Sequence, residues 1–279
     1  MKLRALSRGL LLLGLLAAAA LIACSDDEDV AGPGGDAFED VSTVIVDEFG
    51  VLRAAFAPPS GSPTCLIVSP APPFPDGDGD GVPDSVRCVF DPAGCSFGDD
   101  TYTATTSGLI VLTDPGAAFG FRARLEDLAY TMTSGDPSIT RQRVLNGVRV
   151  VTGAPDSLAL SRHDTLTFSR TGGATATVIE ALTGTFTPEA GQTVSFGVGV
   201  PPPPGQYTVT GMITWTQGTS VYVFDVTTAS PLLYPSGCDS PFPSGGELRF
   251  HLTSGGPAGT LTVAWDGCWN DAVTDWIPD

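Results

Sequence analysis

Basic residues are scarce in this chain. It contains 13 Lys and Arg against 31 Asp and Glu, which gives a formal net charge of −18. No lysine follows Lys2, and Arg4 and Arg8 lie close to it at the N-terminus. Nucleic acids and anionic lipid headgroups are bound through basic patches, so the composition excludes nucleic acid as a partner. An acidic surface favours solubility and attracts divalent cations.

Catalytic motifs are also missing. The chain has two histidines, His163 and His251, and no G-x-S-x-G nucleophile elbow. Asp164 follows His163, but neighbours on a strand point to opposite faces, so they do not form part of a triad. The glutamates near predicted strands are Glu126, Glu180 and Glu247. Paired carboxylates keep a hydrolase as an alternative, but we predict that the protein is not an enzyme.

Long helical patterns are absent, whereas Gly (34 residues) and Pro (24 residues) are abundant. The clearest strand is Tyr207–Thr216, in which an apolar face alternates with a threonine-rich face. It forms a predicted hairpin with Val221–Thr228, and Glu247–Thr253 pairs likewise with Thr260–Trp265. Leu125–Ala129 is the candidate for a short helical turn. We predict an all-β fold, an antiparallel sheet of hairpins in a meander, arranged as a sandwich or as one extended sheet.

The one long apolar run lies at the N-terminus. It follows the basic residues, covers about 15 residues where a membrane span needs roughly 20, and ends in Leu21-Ile22-Ala23-Cys24. This order resembles the signal and lipobox of bacterial lipoproteins. The resemblance implies export, a signal peptide over residues 1–23, and acyl chains on Cys24 that anchor the chain to a membrane. Ser25 after the cysteine implies sorting to the outer membrane, on its periplasmic face or at the cell surface.

Composition divides the rest of the chain into three segments. Residues 24–40 comprise the lipidated cysteine and an acidic, Gly-rich segment that we predict to be a flexible tether. Residues 41–100 contain predicted strands, a Pro-rich stretch and an Asp-Gly run. Residues 101–279 form the predicted main antiparallel β domain.

One motif carries recognisable chemistry. In the run from Asp76 to Asp84, carboxylates of Asp76, Asp78, Asp80 and Asp84 occupy positions 1, 3, 5 and 9 of an EF-hand loop, with Gly at position 6. The Val82 carbonyl takes position 7. The run also resembles the calcium loops of thrombospondin type 3 repeats, which lack a flanking helix pair. We predict calcium as a structural cofactor, with a Kd of about 10⁻⁴–10⁻³ M as in extracellular modules.

The motif departs from the EF-hand at position 12, where Arg87 replaces a bidentate glutamate. Asp91, Asp99 and Asp100 are the candidates to complete the coordination shell. The alternative is a flexible acidic loop without a defined metal site.

The chain has six cysteines. With Cys24 acylated, the others lie in an oxidising compartment where disulfides persist, and no C-x₂-C pair indicates a zinc site. We predict one bridge between Cys238 and Cys268. A second bridge, with one thiol left over, is predicted within the set Cys65, Cys88 and Cys95.

The C-terminal stretch is similar to β-rich secreted bacterial lipoproteins of uncharacterised function. The shared features are a TT-x-x-PL strand end, a cysteine, an SG strand and a final cysteine-containing turn. The matching residues are Thr227, Thr228, Pro231, Leu232, Cys238, Ser244, Gly245 and Cys268. The resemblance supports the fold and implies no activity.

Four tryptophans lie in the last third of the chain: Trp215, Trp265, Trp269 and Trp276. We predict that they fill the core, although exposed aromatics on a sheet can stack on sugars. Recurrent Thr-x-Thr pairs indicate a solvated strand face. The sequence thus predicts a non-enzymatic cell-envelope lipoprotein with a structural calcium site and the membrane as partner through Cys24, with a glycan or another envelope protein as a further candidate. The alternatives are a carbohydrate-binding or adhesive surface module and, second, a hydrolase.

Overall fold

The computed structural model describes residues 66–98, 102–116, 119–134, 140–195, 203–236, 238, 243–268 and 272–279. These residues form a 12-stranded sheet in which every neighbouring pair is antiparallel, and they include no helix. The predicted all-β antiparallel fold is confirmed. The predicted signal peptide, the lipidation site at Cys24, the tether, the strands predicted before Pro58 and Cys65 lie outside the described residues.

The strands follow one another across the sheet in chain order. They are β1 (Leu66–Ser69), β2 (Ser85–Gly98), β3 (Tyr102–Thr113), β4 (Phe119–Ser134), β5 (Thr140–Ala154), β6 (Ser157–Arg170), β7 (Ala176–Pro188), β8 (Gly205–Gln217), β9 (Ser220–Tyr234), β10 (Gly245–Ser254), β11 (Gly259–Trp265) and β12 (Val273–Pro278). This meander joins each strand to its sequence neighbour, as the predicted hairpins require. Of the two arrangements that the sequence left open, the described strands form one extended sheet.

Residues 125–129, the candidate helical turn, instead form a bulge within β4. The pairing with β5 shifts between Leu125 and Leu128, and Asp127 adopts a φ of 47°. Asn146 stabilises this conformation, because its Oδ1 accepts a hydrogen bond from Asp127 N (2.8 Å) and its Nδ2 donates one to Asp127 Oδ1 (3.1 Å). Gly108 lies opposite, where a Cβ would be 2.4 Å from the Asp127 carbonyl oxygen. The helical prediction was wrong because a bulge has the same short break in alternation as a turn.

One face of the sheet is buried. Along β7, Val178, Glu180, Leu182 and Phe186 are buried, and the residues that alternate with them are exposed or half-buried. Buried residues of β4 through β11 form a single hydrophobic cluster. We call this the inner face and the opposite one the outer face. A sheet face with so many buried apolar side chains is a packed face and not a solvated one.

The inner face also carries two buried ion pairs. Arg149 Nε lies 2.7 Å from Asp164 Oδ2, and Arg162 Nε lies 2.8 Å from Glu180 Oε2. Arg149 faces Arg162 directly across β5 and β6, and Asp164 faces Glu180 across β6 and β7. Both ion pairs therefore join diagonal neighbours on adjacent strands, whereas the charged residues that face each other directly carry like charges.

Arg143 belongs to the same group of charges. Burial lowers its pKa to about 10, and repulsion by Arg149 acts in the same direction while Glu180 opposes it. His163, between Arg162 and Asp164, is exposed on the outer face. The prediction that His163 and Asp164 point to opposite faces is confirmed.

Cys238, between β9 and β10, forms a disulfide with Cys268, which follows β11; their Cα atoms are 5.8 Å apart. This predicted bridge is confirmed. Cys95 is also disulfide-bonded. Cys88 on β2 is a buried free thiol, and burial raises its pKa.

Candidate metal centre

The Asp-Gly motif forms the loop between β1 and β2, and backbone contacts attach it to the sheet. Asp84 N donates to Pro75 O at 2.8 Å and closes the loop. Asp114 N, just after β3, donates to Asp84 O at 3.2 Å. The Val82 side chain is only 4% exposed and belongs to the main hydrophobic core. The motif predicts only a carbonyl ligand from Val82, whereas the structure shows that its side chain anchors the loop in the core.

Asp76 organises the first half of the loop. Its Oδ1 accepts a hydrogen bond from Gly79 N at 2.7 Å, and its Oδ2 accepts one from Gly81 N at 3.0 Å. Gly79 and Gly81 have φ values of 77° and 89°, which glycine adopts without strain. The glycines therefore allow the backbone to turn around the carboxylate of Asp76.

The next two aspartates also bond to backbone amides within the loop. Asp78 Oδ1 accepts from Asp80 N at 3.3 Å, and Asp80 Oδ1 accepts from Val82 N at 2.7 Å. These local bonds hold the side chains close to the loop backbone. As a result, carboxylate oxygens of Asp76, Asp78 and Asp80 all lie within 4.8 Å of one another. Asp76 and Asp78 are exposed and Asp80 is half-buried, and a group of this kind can hold a metal ion.

Within the cluster, burial and neighbouring charges shift the pKa of Asp80. Burial raises the pKa of its carboxyl, the hydrogen bond from Val82 N lowers it, and the negative charges of Asp78, Asp114 and Asp76 raise it further. Asp80 Oδ2 is buried and has no hydrogen-bond partner among the described residues. Folding thus makes the charged form of Asp80 less favourable than it is in the unfolded chain, and a bound cation would offset this cost.

Asp114 is a neighbour of the loop that was not predicted from the sequence. The β2–β3 hairpin pairs Ser85 with Thr113, which brings Asp114 next to the end of the loop. No local signal reveals this, because Asp114 is distant in sequence and reaches the loop only through strand register.

The structure does not bring together all of the predicted ligands. Asp84 lies outside the cluster of three, and its Oδ1 accepts a hydrogen bond from Gly77 N at 2.8 Å. Arg87 is an exposed residue on β2, paired with Val111. Asp91 lies farther along β2, roughly 20 Å from Ser85 at about 3.3 Å per residue, so the strand carries it away from the loop. Asp99 and Asp100 are outside the described residues.

The glutamates considered for catalysis are all in ion pairs with arginines. Arg124 lies 3.0 Å from Glu126, and Arg249 lies 2.7 Å from Glu247, both on the exposed surface. Glu180 pairs with Arg162 inside the protein. Of the histidines, His251 is exposed, and its Nδ1 is 3.2 Å from Thr260 Oγ1.

The tryptophans largely fill the core. Trp215 is 3% and Trp265 is 5% exposed, and Trp215 stacks on Tyr222 with ring centroids 5.2 Å apart. Trp276 on β12 is half-buried and packs against the main core cluster. For these three residues the predicted core role is confirmed, and Trp269 lies outside the described residues.

Within the described part of the chain, no helix has the length and apolar character needed to cross a membrane. The chain matches no protein-family model, no curated protein and no solved structure. The functional assignment therefore depends on the chemistry of this chain's own residues.

Proposed function

We propose that this protein is a non-enzymatic cell-envelope lipoprotein, anchored to the outer membrane through Cys24, in which the 76–84 loop binds calcium in a structural role. The observation that carries the calcium assignment is the convergence of Asp76, Asp78 and Asp80, with oxygens within 4.8 Å of one another. The order of basic residues, apolar run and lipobox supports the anchor.

Calcium suits this set of ligands better than other common metals. It takes six to eight oxygen ligands at about 2.3–2.6 Å in flexible geometry, and it accepts carboxylates, backbone carbonyls and water together. The loop offers three carboxylates, the motif would add the Val82 carbonyl at position 7, and water can reach the exposed side. Magnesium requires nearly ideal octahedral geometry and gives up its water reluctantly. Zinc prefers nitrogen and sulfur ligands, and the cluster has none.

A structural role follows from the position of the loop. It joins β1 to β2, its Val82 side chain is buried in the core, and its end contacts Asp114. A cation at the cluster would neutralise the mutual repulsion of the aspartates and hold the loop in its folded conformation. The exposed position and the missing position-12 glutamate fit weak binding, with a Kd of about 10⁻⁴–10⁻³ M.

Calcium is expected to raise the melting temperature of the full chain, purified in a neutral detergent. At free calcium about 10 to 100 times Kd, the gain is about 1.4–2.7 kcal/mol, or about 3–10 °C for a domain of this size. Asp80→Asn retains an oxygen for the Val82 amide but removes the charge. We expect this variant to be more stable than the wild type in EDTA, because burial and the neighbouring carboxylates raise the pKa of Asp80 and so make its charged form costly in the fold. In calcium the order reverses.

The matched control is Asp156→Asn, which removes an exposed aspartate in the turn between β5 and β6. It should respond to calcium as the wild type does, and magnesium should stabilise the wild type less than calcium. Equal melting temperatures of the wild type in EDTA and in calcium would refute the metal site and leave the loop as an acidic connection.

Acylation at Cys24 is expected to appear as incorporation of labelled palmitate when the chain is expressed in a bacterium that matures lipoproteins. Cys24→Ala removes the acceptor thiol and should abolish the label. Cys88→Ala, which removes the buried free thiol of β2, should retain it. A label that persists in Cys24→Ala, or that never appears in the wild type, contradicts the anchor.

The rival function of glycan binding through the tryptophans receives no support from the positions of the described ones. Trp215 and Trp265 are buried, and sugar stacking requires an exposed ring. For the hydrolase alternative, the glutamates singled out by the sequence are engaged with arginines instead of facing one another.

A further inference from the structure

The outer face of the central strands has an unusual composition. We define the threonine face as the outward residues of 159–167 in β6, 177–185 in β7 and 208–216 in β8. The strand register places threonines side by side across β7 and β8: Thr177–Thr216, Thr183–Thr210 and Thr185–Thr208. These pairs come from the Thr-x-Thr segments of the sequence, and only the register aligns them into rows.

The threonine face contains no Asp, Glu, Lys or Arg. The charged residues of these strand segments, Arg162, Asp164 and Glu180, all lie on the inner face. An exposed antiparallel sheet face is ordinarily polar and charged, so this distribution is inverted. It is the more notable because the chain has a net charge of −18.

Large apolar side chains are exposed at the centre of this face. Ile179 on β7 is 52% exposed and Met212 on β8 is 46% exposed. Val221, at the start of β9, is 45% exposed and pairs with Thr216 at the margin of the face. Apolar side chains gathered on an exposed surface indicate an interaction site, and interface cores are depleted of charge and enriched in methionine.

We propose that the threonine face is the surface through which two copies of this chain associate face to face. Two such acidic chains repel each other, and the threonine face itself carries no carboxylate; the exposed Asp225 of β9, directly opposite Met212, lies at its margin. A two-fold interface must be self-complementary, and the threonine hydroxyl both donates and accepts hydrogen bonds. Ile179 and Met212 supply the apolar centre that becomes buried.

The composition of the face argues against other partners. A charged macromolecule would find no complementary charge on it. A sugar would find no aromatic platform, because none of the outward residues is Phe, Tyr or Trp and Trp215 of β8 points inward. The surface thus fits a neutral, hydroxyl-rich and partly apolar partner, and a second copy offers the same composition.

The test is the mass of the full chain in a neutral detergent, measured by light scattering and sedimentation over a dilution series. The wild type should form a dimer, and Ile179→Asp should weaken it by at least about tenfold in Kd. Ile277→Asp is the matched control, because Ile277 is also 52% exposed but lies on β12, the last strand in the order of the described strands, outside the threonine face. It should remain dimeric.

Substitutions of opposite charge at Ile179 distinguish burial of this side chain in an interface from general repulsion between two acidic chains. Ile179→Lys lowers the net negative charge, but it should disrupt the dimer as Ile179→Asp does, because either charge would be desolvated at the interface centre. If the Ile179 variants do not fold, as judged by their melting curves, Met212→Lys on the neighbouring strand provides the same comparison. A monomeric wild type, a dimer that survives every folded variant of the face, or equal disruption by Ile277→Asp overturns the proposal.

Discussion

Replacing Arg149 with methionine is expected to lower the free energy of unfolding by about 3–5 kcal/mol. The substitution leaves the Asp164 carboxylate, which is 1% exposed, buried without the guanidinium that lies 2.7 Å from it. Asp164 cannot move away easily, because its Oδ1 lies over Gly147, where even a Cβ would be 1.9 Å from it. Chemical denaturation of the wild type and variant, followed by circular dichroism, measures the difference.

The double variant Arg149→Met/Asp164→Leu distinguishes the net contribution of the intact ion pair to stability from the penalty of leaving one charged partner buried alone. Replacement of both partners by apolar residues of similar volume is often nearly neutral, so the double variant should recover most of the stability lost in Arg149→Met. The exposed pair Arg124–Glu126 provides the control, and Arg124→Met should cost at most about 1 kcal/mol. If Arg149→Met cost no more than Arg124→Met, the inner pair would have to be solvated in solution.

The second large effect is expected from the Cys238–Cys268 disulfide. Cys238→Ser/Cys268→Ser should lower the free energy of unfolding by about 3–4 kcal/mol, the chain-entropy value for a loop with a sequence separation of 30. The bridge ties the β9–β10 connection to the end of β11, and β12 pairs only with β11 among the described strands. Loss of the bridge should therefore also loosen the packing of Trp276 against the core, which fluorescence can follow.

The control for the disulfide is Cys88→Ala, which removes a buried thiol that forms no bridge. It should change stability far less than the double serine variant. In addition, a reducing agent should lower the melting temperature of the wild type. An oxidised wild type that melts together with the double serine variant would show that the bridge adds no stability.

The hairpins were predictable because their signals are local. In Tyr207–Thr216, apolar residues alternate with threonine, and the period of two predicts a strand with one buried face. The same holds for the acidic cluster of the 76–84 loop, since Asp76, Asp78 and Asp80 are so close in sequence that a glycine-rich turn suffices to bring their carboxylates together. The pairing of Cys238 with Cys268 was also predictable, because each follows a strand of the C-terminal hairpins.

The inner ion pairs were not predicted, although part of their signal is present. Arg162 and Asp164 fall in the same alternation phase as Leu160 and Leu166, which are buried. Burial of a charge is costly unless a partner is present, and the partners Arg149 and Glu180 come from the adjacent strands β5 and β7. The phase of a single strand therefore cannot show whether its charged residues lie inside.

The sequence by itself determined the strand-rich fold, the hairpin pairs, the acidic loop and the C-terminal disulfide, because each depends on residues close together in the chain or on a regular alternation. The tertiary structure decided three features: one sheet instead of a sandwich, Asp114 beside the loop, and a threonine face free of Asp, Glu, Lys and Arg opposite two buried ion pairs. All three depend on strand pairing and register, which are set by the simultaneous packing of side chains from several strands. No single segment of the sequence contains that information.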